Sequence, residues 1–70
     1  ERSEESERVQ RALNGLTPAS RAVLMMIDAN GMGYEEAGRA LGWPLGTVRS
    51  RVSRARASLR TRLLEMEVTA

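Results

Sequence analysis

After Pro44, apolar residues return every three or four positions: Leu45, Val48, Val52, Ala55, Leu59, Leu63 and Met66. At 100° per residue they fall within one stripe, so the spacing predicts a single long helix from about Leu45 to Glu67. A chain of 70 residues makes one domain at most, and its core must be built on that stripe. Nowhere does a period of two persist, so no strand is expected.

The segments before Pro44 also read as helices. From Glu1 to about Asn14 the chain is highly charged, but Val9, Ala12, Leu13 and Leu16 follow the i, i+3, i+4, i+7 spacing of an amphipathic helix. Residues 1–8 are expected to be linker or frayed. Thr17-Pro18 is a helix start, with the hydroxyl as N-cap and proline where its missing N–H is not needed. The second helix, through Ala22, Val23, Leu24, Met26 and Ile27, is nearly apolar and is expected at the centre of the core. Asn30-Gly31-Met32-Gly33 ends it, since glycine accepts the left-handed conformation that closes a helix. A short third helix spans about Tyr34 to Leu41, and Gly42-Trp43-Pro44 breaks the chain before the fourth. The fold class is therefore all-α, with four helices; the domain runs over residues 9–67, and residues 68–70 form a tail.

Charge is distributed unevenly along this framework. The formal net charge is only +2, yet all 11 cations are arginine. Residues 1–35 hold four arginines against six acids, whereas residues 36–70 hold seven against three. Arg49, Arg51, Arg54, Arg56, Arg60 and Arg62 lie within fourteen residues that contain no acid. Such a block is either a solvated helix face or a polyanion-binding surface, and its place in the fold decides between them. On the wheel of the fourth helix, Gly46, Ser50, Ser53 and Ala57 point away from the apolar stripe, with Arg49 on one flank and Arg54 on the other. Small residues let a helix approach another surface closely, and the flanking guanidiniums can then reach phosphates or base edges.

Two helices joined by a glycine-containing turn, the second basic at its start, form the pattern of a helix-turn-helix over about residues 34–54. Ala37 and Leu41 are inward positions of the supporting helix, Gly42 begins the turn, Trp43 is an apolar plug, and Val48 and Val52 anchor the second helix. Gly38 falls where the helices cross and lacks a Cβ, at an intrinsic helix cost of roughly 1 kcal/mol relative to alanine. An ordinary helical hairpin with a polar exterior would share the spacing but not the turn chemistry, the crossing glycine and the arginine flank together.

The run from Tyr34 to Arg51, continuing through Val52-Ser53-Arg54-Ala55-Arg56, resembles region 4 of the sigma-70 family, and is most similar to the extracytoplasmic-function (group 4) bacterial sigma factors. Pro44-Leu45-Gly46-Thr47-Val48-Arg49-Ser50-Arg51 followed by Arg54-Ala55-Arg56 carries the resemblance. Leu16-Thr17-Pro18 with Arg21 and Leu24 extends it, so that it covers roughly residues 9–64. Gly38, where alanine is usual, and Met25-Met26 depart from the family pattern, away from the recognition surface. The resemblance implies a helix-turn-helix domain of the winged-helix-like DNA-binding superfamily that binds the −35 element of promoters as double-stranded DNA. It implies that Arg49, Ser50, Ser53 and Arg54 face base edges or adjacent phosphates and that Thr47 and Arg51 hold the DNA backbone. Tyr34 and Arg39 would reach flanking phosphates, Arg39 being equally readable as a solvated side chain. Implied partners are the RNA polymerase core, through its β flap, and an anti-sigma factor. The setting would be the bacterial cytoplasm, with no membrane, cofactor or small-molecule substrate. Arg56, Arg60 and Arg62, further along the helix, would face phosphates, the polymerase or solvent. Two alternatives stay open: the DNA-binding domain of LuxR-type regulators, which shares the Gly-Thr-Val core but ends its recognition helix sooner, and a sigma-like decoy that binds an anti-sigma factor without DNA. A decoy should have lost recognition-helix arginines.

Enzymatic chemistry finds little to work with. Histidine and cysteine are absent, which removes the commonest general base, the thiolate nucleophile, soft metal ligands and disulfides. A chain this short buries only roughly 60% of its unfolded surface, which leaves no room for a large closed active-site cavity. No catalytic or metal-binding residue is expected. Glu35 and Glu36 diverge by 100° and fit the positive end of their helix better than a carboxylate pair. Asp28 and the Glu1–Glu7 cluster read as solvated or linker charge, and Met25, Met26 and Met32 as core or partner-contact residues. No apolar run approaches the roughly 20 residues of a membrane span, and the acidic N-terminus is unlike a signal peptide. The chain starts without methionine, as a fragment of a longer protein would.

Overall fold

Among the described residues the chain forms four α-helices and one π-helical turn: α1 Glu4–Asn14, α2 Pro18–Leu24, the π-turn Met25–Ala29, α3 Tyr34–Leu41 and α4 Leu45–Thr69. The structure is a computed structural model that describes the backbone of residues 3–69 and the side chains of residues 3–67. The expected all-α fold with four helices is what forms, and no strand occurs among the described residues.

Helix α1 starts inside the stretch expected to be linker or frayed. Ser3 is its N-cap and accepts a hydrogen bond from the Ser6 N–H at 3.1 Å, while Glu4, Glu5 and Glu7 set negative charge against the positive helix end. Residues 1 and 2 of that stretch lie outside the described residues. At the other end α4 continues through Thr69, into the expected tail, and Ala70 lies outside the described residues. Helix α2 begins as Thr17-Pro18 dictates, with the Thr17 hydroxyl accepting from the Ser20 N–H at 3.2 Å.

The apolar second helix is not a continuous α-helix. From Met25 its bonding widens: the Asn30 N–H reaches the Met25 carbonyl at 3.0 Å and the Met32 N–H reaches the Met26 carbonyl at 2.9 Å. The chain then reverses through Gly31 in the left-handed conformation, at φ 69°. Helix α3 ends on Gly42, also left-handed (φ 74°), which lets the Trp43 N–H fold back to the Gly38 carbonyl at 2.9 Å.

Two apolar clusters hold the helices together. Val23, Ile27, Ala37, Val48 and Val52 form the larger one, with Met26, Met32, Tyr34, Leu41 and Trp43 packed around it. It therefore joins α2, the π-turn and α3 to the first part of α4. Leu16, Leu24 and Ala55, flanked by Leu13 and Leu59, form the second, between α1, α2 and the middle of α4. Val23, Val48 and Val52 are buried to 1% exposure or less, each worth roughly 1.5–3 kcal/mol of transfer free energy. Trp43 is half-buried and acts as the expected plug. At the crossing of α3 with the turn, a Cβ on Gly38 would lie 2.7 Å from the Trp43 carbonyl oxygen and 3.3 Å from Val48 Cγ2. Glycine there is a requirement of this packing.

Candidate nucleic-acid interface

The buried side of α4 fixes what its other side presents. Val48, Val52 and Ala55 are buried, and Gly46, Ser50, Ser53 and Ala57 are exposed on the opposite face. Arg49 and Arg54 are exposed on its flanks, as the helical wheel requires. The Ser50 hydroxyl donates to the Thr47 carbonyl at 3.3 Å and accepts from Arg54 Nη2 at 3.4 Å. In the free domain Arg54 thus lies back along the helix over one turn. Thr47 is half-buried near the start of α4, next to the exposed face.

Between α3 and the start of α4 lies an open cleft of about 660 Å³, lined by Gly33, Tyr34, Glu35, Glu36, Arg39, Leu45 and Arg49. It brings together three of the residues singled out from the sequence, Tyr34, Arg39 and Arg49, although the first and last are fifteen positions apart. Glu35 and Glu36 sit in the first turn of α3, at its positive end. Arg51 does not join this group. Its guanidinium carbon lies 4.3 Å from the centre of the Trp43 ring, a cation–π contact that covers one face of the indole.

Asp28, read from the sequence as solvated or linker charge, and Arg56, read as facing phosphates, the polymerase or solvent, are tied to each other. Arg56 Nε donates to Asp28 Oδ2 at 3.0 Å and Nη2 to Oδ1 at 2.6 Å, a bidentate pair. The Arg56 guanidinium beside Asp28 holds its carboxyl below the ordinary carboxylate range. The same hydrogen bonds push Arg56 further up. Spacing gave no sign of this pairing, because the partners are 28 residues apart and the π-turn sets the direction of Asp28. Arg62 is likewise occupied: its guanidinium packs on Gly15 at the end of α1, with Cζ 2.8 Å from where a Cβ would stand. A cation there meets the negative end of α1. Met26 and Met32 pack on the core, whereas Met25 is 41% exposed. No helix among the described residues is long and apolar enough to cross a membrane.

A supporting helix, a tight left-handed turn and a second helix with an arginine-flanked, small-residue outer face define a helix-turn-helix domain. Residues 6–59 match the family model described as sigma-70, region 4, and the chain belongs to that family. Two of the three relatives described next are extracytoplasmic-function sigma factors by name. The chain is 50% identical over 52 residues to the ECF RNA polymerase sigma factor SigE of Mycolicibacterium smegmatis, covering 74% of this chain and 20% of that protein. It is 40% identical over 55 residues to the ECF RNA polymerase sigma factor EcfG of Rhodopseudomonas palustris, covering 79% of this chain and 30% of that protein. It is 39% identical over 64 residues to the RNA polymerase sigma factor NccH of Alcaligenes xylosoxydans xylosoxydans, covering 91% of this chain and 34% of that protein. The chain thus spans between a fifth and about a third of the length of these relatives. No solved structure gives a significant match. The LuxR-type alternative shares only the core of the motif, whereas the family match starts in α1 and runs past Arg56.

Proposed function

We propose that this domain recognises the −35 element of promoter DNA within an extracytoplasmic-function sigma factor, and so directs RNA polymerase to its start sites in the bacterial cytoplasm. The observation that carries the reading is the outer face of α4: Gly46, Ser50 and Ser53 exposed between exposed Arg49 and Arg54, on a helix whose other side is buried to 1% or less at Val48, Val52 and Ala55. Such a helix fits the major groove closely. Arginine pairs bidentately with guanine O6 and N7, worth roughly 1–3 kcal/mol of discrimination per good pair.

In this reading Arg49 and Arg54 read bases, with Ser50 and Ser53 contributing fit. Thr47 and the cleft residues Tyr34 and Arg39 hold phosphates that set the register. Arg51, stacked by its face on the Trp43 ring, keeps the edge of its guanidinium for a phosphate. Docking on the polymerase β flap and control by an anti-sigma factor belong to the same proposal and rest on the family.

The test is selection from a random duplex library by the full-length protein bound to core polymerase, followed by R49A and R54A. An enriched −35 motif, lost or relaxed in both variants, is the expected outcome. Selection of no motif, or unchanged affinity and preference in both variants, overturns the base-reading assignment and leaves the decoy reading in its place. Binding should also weaken steeply with salt, since arginine–phosphate contacts release counterions.

A further inference from the structure

The Asp28–Arg56 pair stands outside the face that reads DNA, yet it touches the helix that carries that face. The π-turn explains how Asp28 gets there. A wider turn advances each residue by less than the 100° of an α-helix. Asp28 is thereby rolled back toward the side of α2 that bears Val23 and Ile27, and those residues pack on Val48 and Val52 of α4. A regular helix would turn the carboxylate further from α4.

Arg56 meets it from the edge of the buried stripe, one residue after Ala55 and four after Val52. Arg56 is also two turns beyond Arg49 and within about 20° of it on the helix wheel. The two share a flank of one rigid rod, so whatever fixes the roll of α4 at Arg56 fixes it at Arg49. The lever is sensitive: side chains reach about 5–6 Å from the axis, so a roll of about 10° moves a guanidinium by about 1 Å. A displacement of that size weakens a bidentate contact with a base edge, because the side chain must give up its preferred geometry to follow. The close-packed core valines limit the roll, and a planar two-point contact at the edge of the stripe adds a directional restraint to theirs.

We propose that Asp28 and Arg56 are positioning residues for DNA recognition: the bidentate bridge from the π-turn sets the roll of α4, and with it the aim of Arg49 into the groove. This rests on the reading of α4 as the recognition helix. It also assigns Arg56 away from the DNA backbone, in contrast to the other plain role for an arginine in this block.

The full-length protein in complex with core polymerase is the material for the test, with D28N, D28E, R56Q and the double variant D28N/R56Q. Affinities for the selected −35 duplex and for a scrambled duplex are measured across a salt series, below the melting temperature of the least stable variant. Both D28N and R56Q should lower the cognate-to-scrambled affinity ratio roughly two- to fivefold, the size expected when an exposed pair is broken. The scrambled affinity and the salt slope should not change. D28E should recover part of the ratio, and the double variant should be no worse than either single one, because the pair acts as a unit. Equal losses on both duplexes would mean a purely structural bridge and overturn the proposal. Tighter binding by D28N, or a salt slope reduced by about 0.9 in R56Q, would make Arg56 a phosphate contact held in reserve, and also overturn it. If wild-type protein selects a motif and D28N matches it, this inference alone fails. A wild-type protein that selects nothing removes the −35 reading and this inference with it.

Discussion

The two halves of α4 carry the same apolar stripe and differ in what covers it. In the first half, Val48, Val52 and Ala55 are buried to 1% or less beneath α2, the π-turn and α3. In the second half, Leu59, Leu63 and Met66 are only half-buried, and Leu64 stands 55% exposed. One helix is thus fully clamped where it presents Arg49, Ser50 and Arg54, and partly open where it presents Arg60 and Leu64. In the proposed reading, that rigidity lies where side chains meet base edges, and α4 beyond Ala57 carries no such role.

Cutting V52A into the first half and L63A into the second should break the symmetry of the stripe most visibly. The valine truncation is expected to cost about 2 kcal/mol of stability, and the leucine, despite losing more atoms, about 1 kcal/mol or less. For a domain of this size that separates the melting temperatures by about 4–8 °C, readable by circular dichroism. Equal shifts would show that the two halves are supported alike.

G38A sharpens the same contrast from the turn side. Alanine gains roughly 1 kcal/mol of helix propensity, but its Cβ would meet the Trp43 carbonyl, and relief requires moving backbone. A net loss of about 1–2 kcal/mol is expected in denaturant unfolding. A stabilised G38A would show that the α3–turn contact is looser than its geometry.

Charge truncation then separates the halves by function. R49A should reduce the salt slope of DNA binding by about 0.9 if its guanidinium also meets a phosphate, whereas R60A should leave the slope unchanged. A slope that falls with R60A would extend the DNA face into the second half.

The smallest effect concerns acid. Asp28 has its carboxyl lowered by Arg56, so the folded state binds its proton less readily than the unfolded chain. Its contribution is complete above the ordinary carboxylate range and disappears as pH falls through the depressed folded value. Both partners are 46% exposed, so solvent screens the pair and the contribution is small. Unfolding of D28N across the acid range should be slightly flatter than wild type, and an identical pH dependence would remove the bridge from the stability of the fold.

Local chemistry made much of this molecule legible. Thr17-Pro18 starts α2, Gly42 closes α3 in a left-handed turn, and the stripe from Leu45 to Met66 sets which side of α4 faces out. Those features depend on neighbours within a few residues, where propensity and periodicity act. Ser3 with Glu4, Glu5 and Glu7 is a helix-start signal of the same kind, within the stretch expected to be linker or frayed.

Sequence by itself therefore determined the four helices, the turn between the last two, and the outer face of small residues between Arg49 and Arg54. Tertiary structure decided which arginines are engaged: Arg56 by Asp28, Arg51 by the Trp43 ring, Arg62 by the end of α1. It also decided that the second helix opens into a π-turn at Met25. The reason is physical. A helix wheel assigns each side chain a direction, but a partner 28 residues away is chosen by how whole helices pack, and no periodicity along the chain encodes that distance.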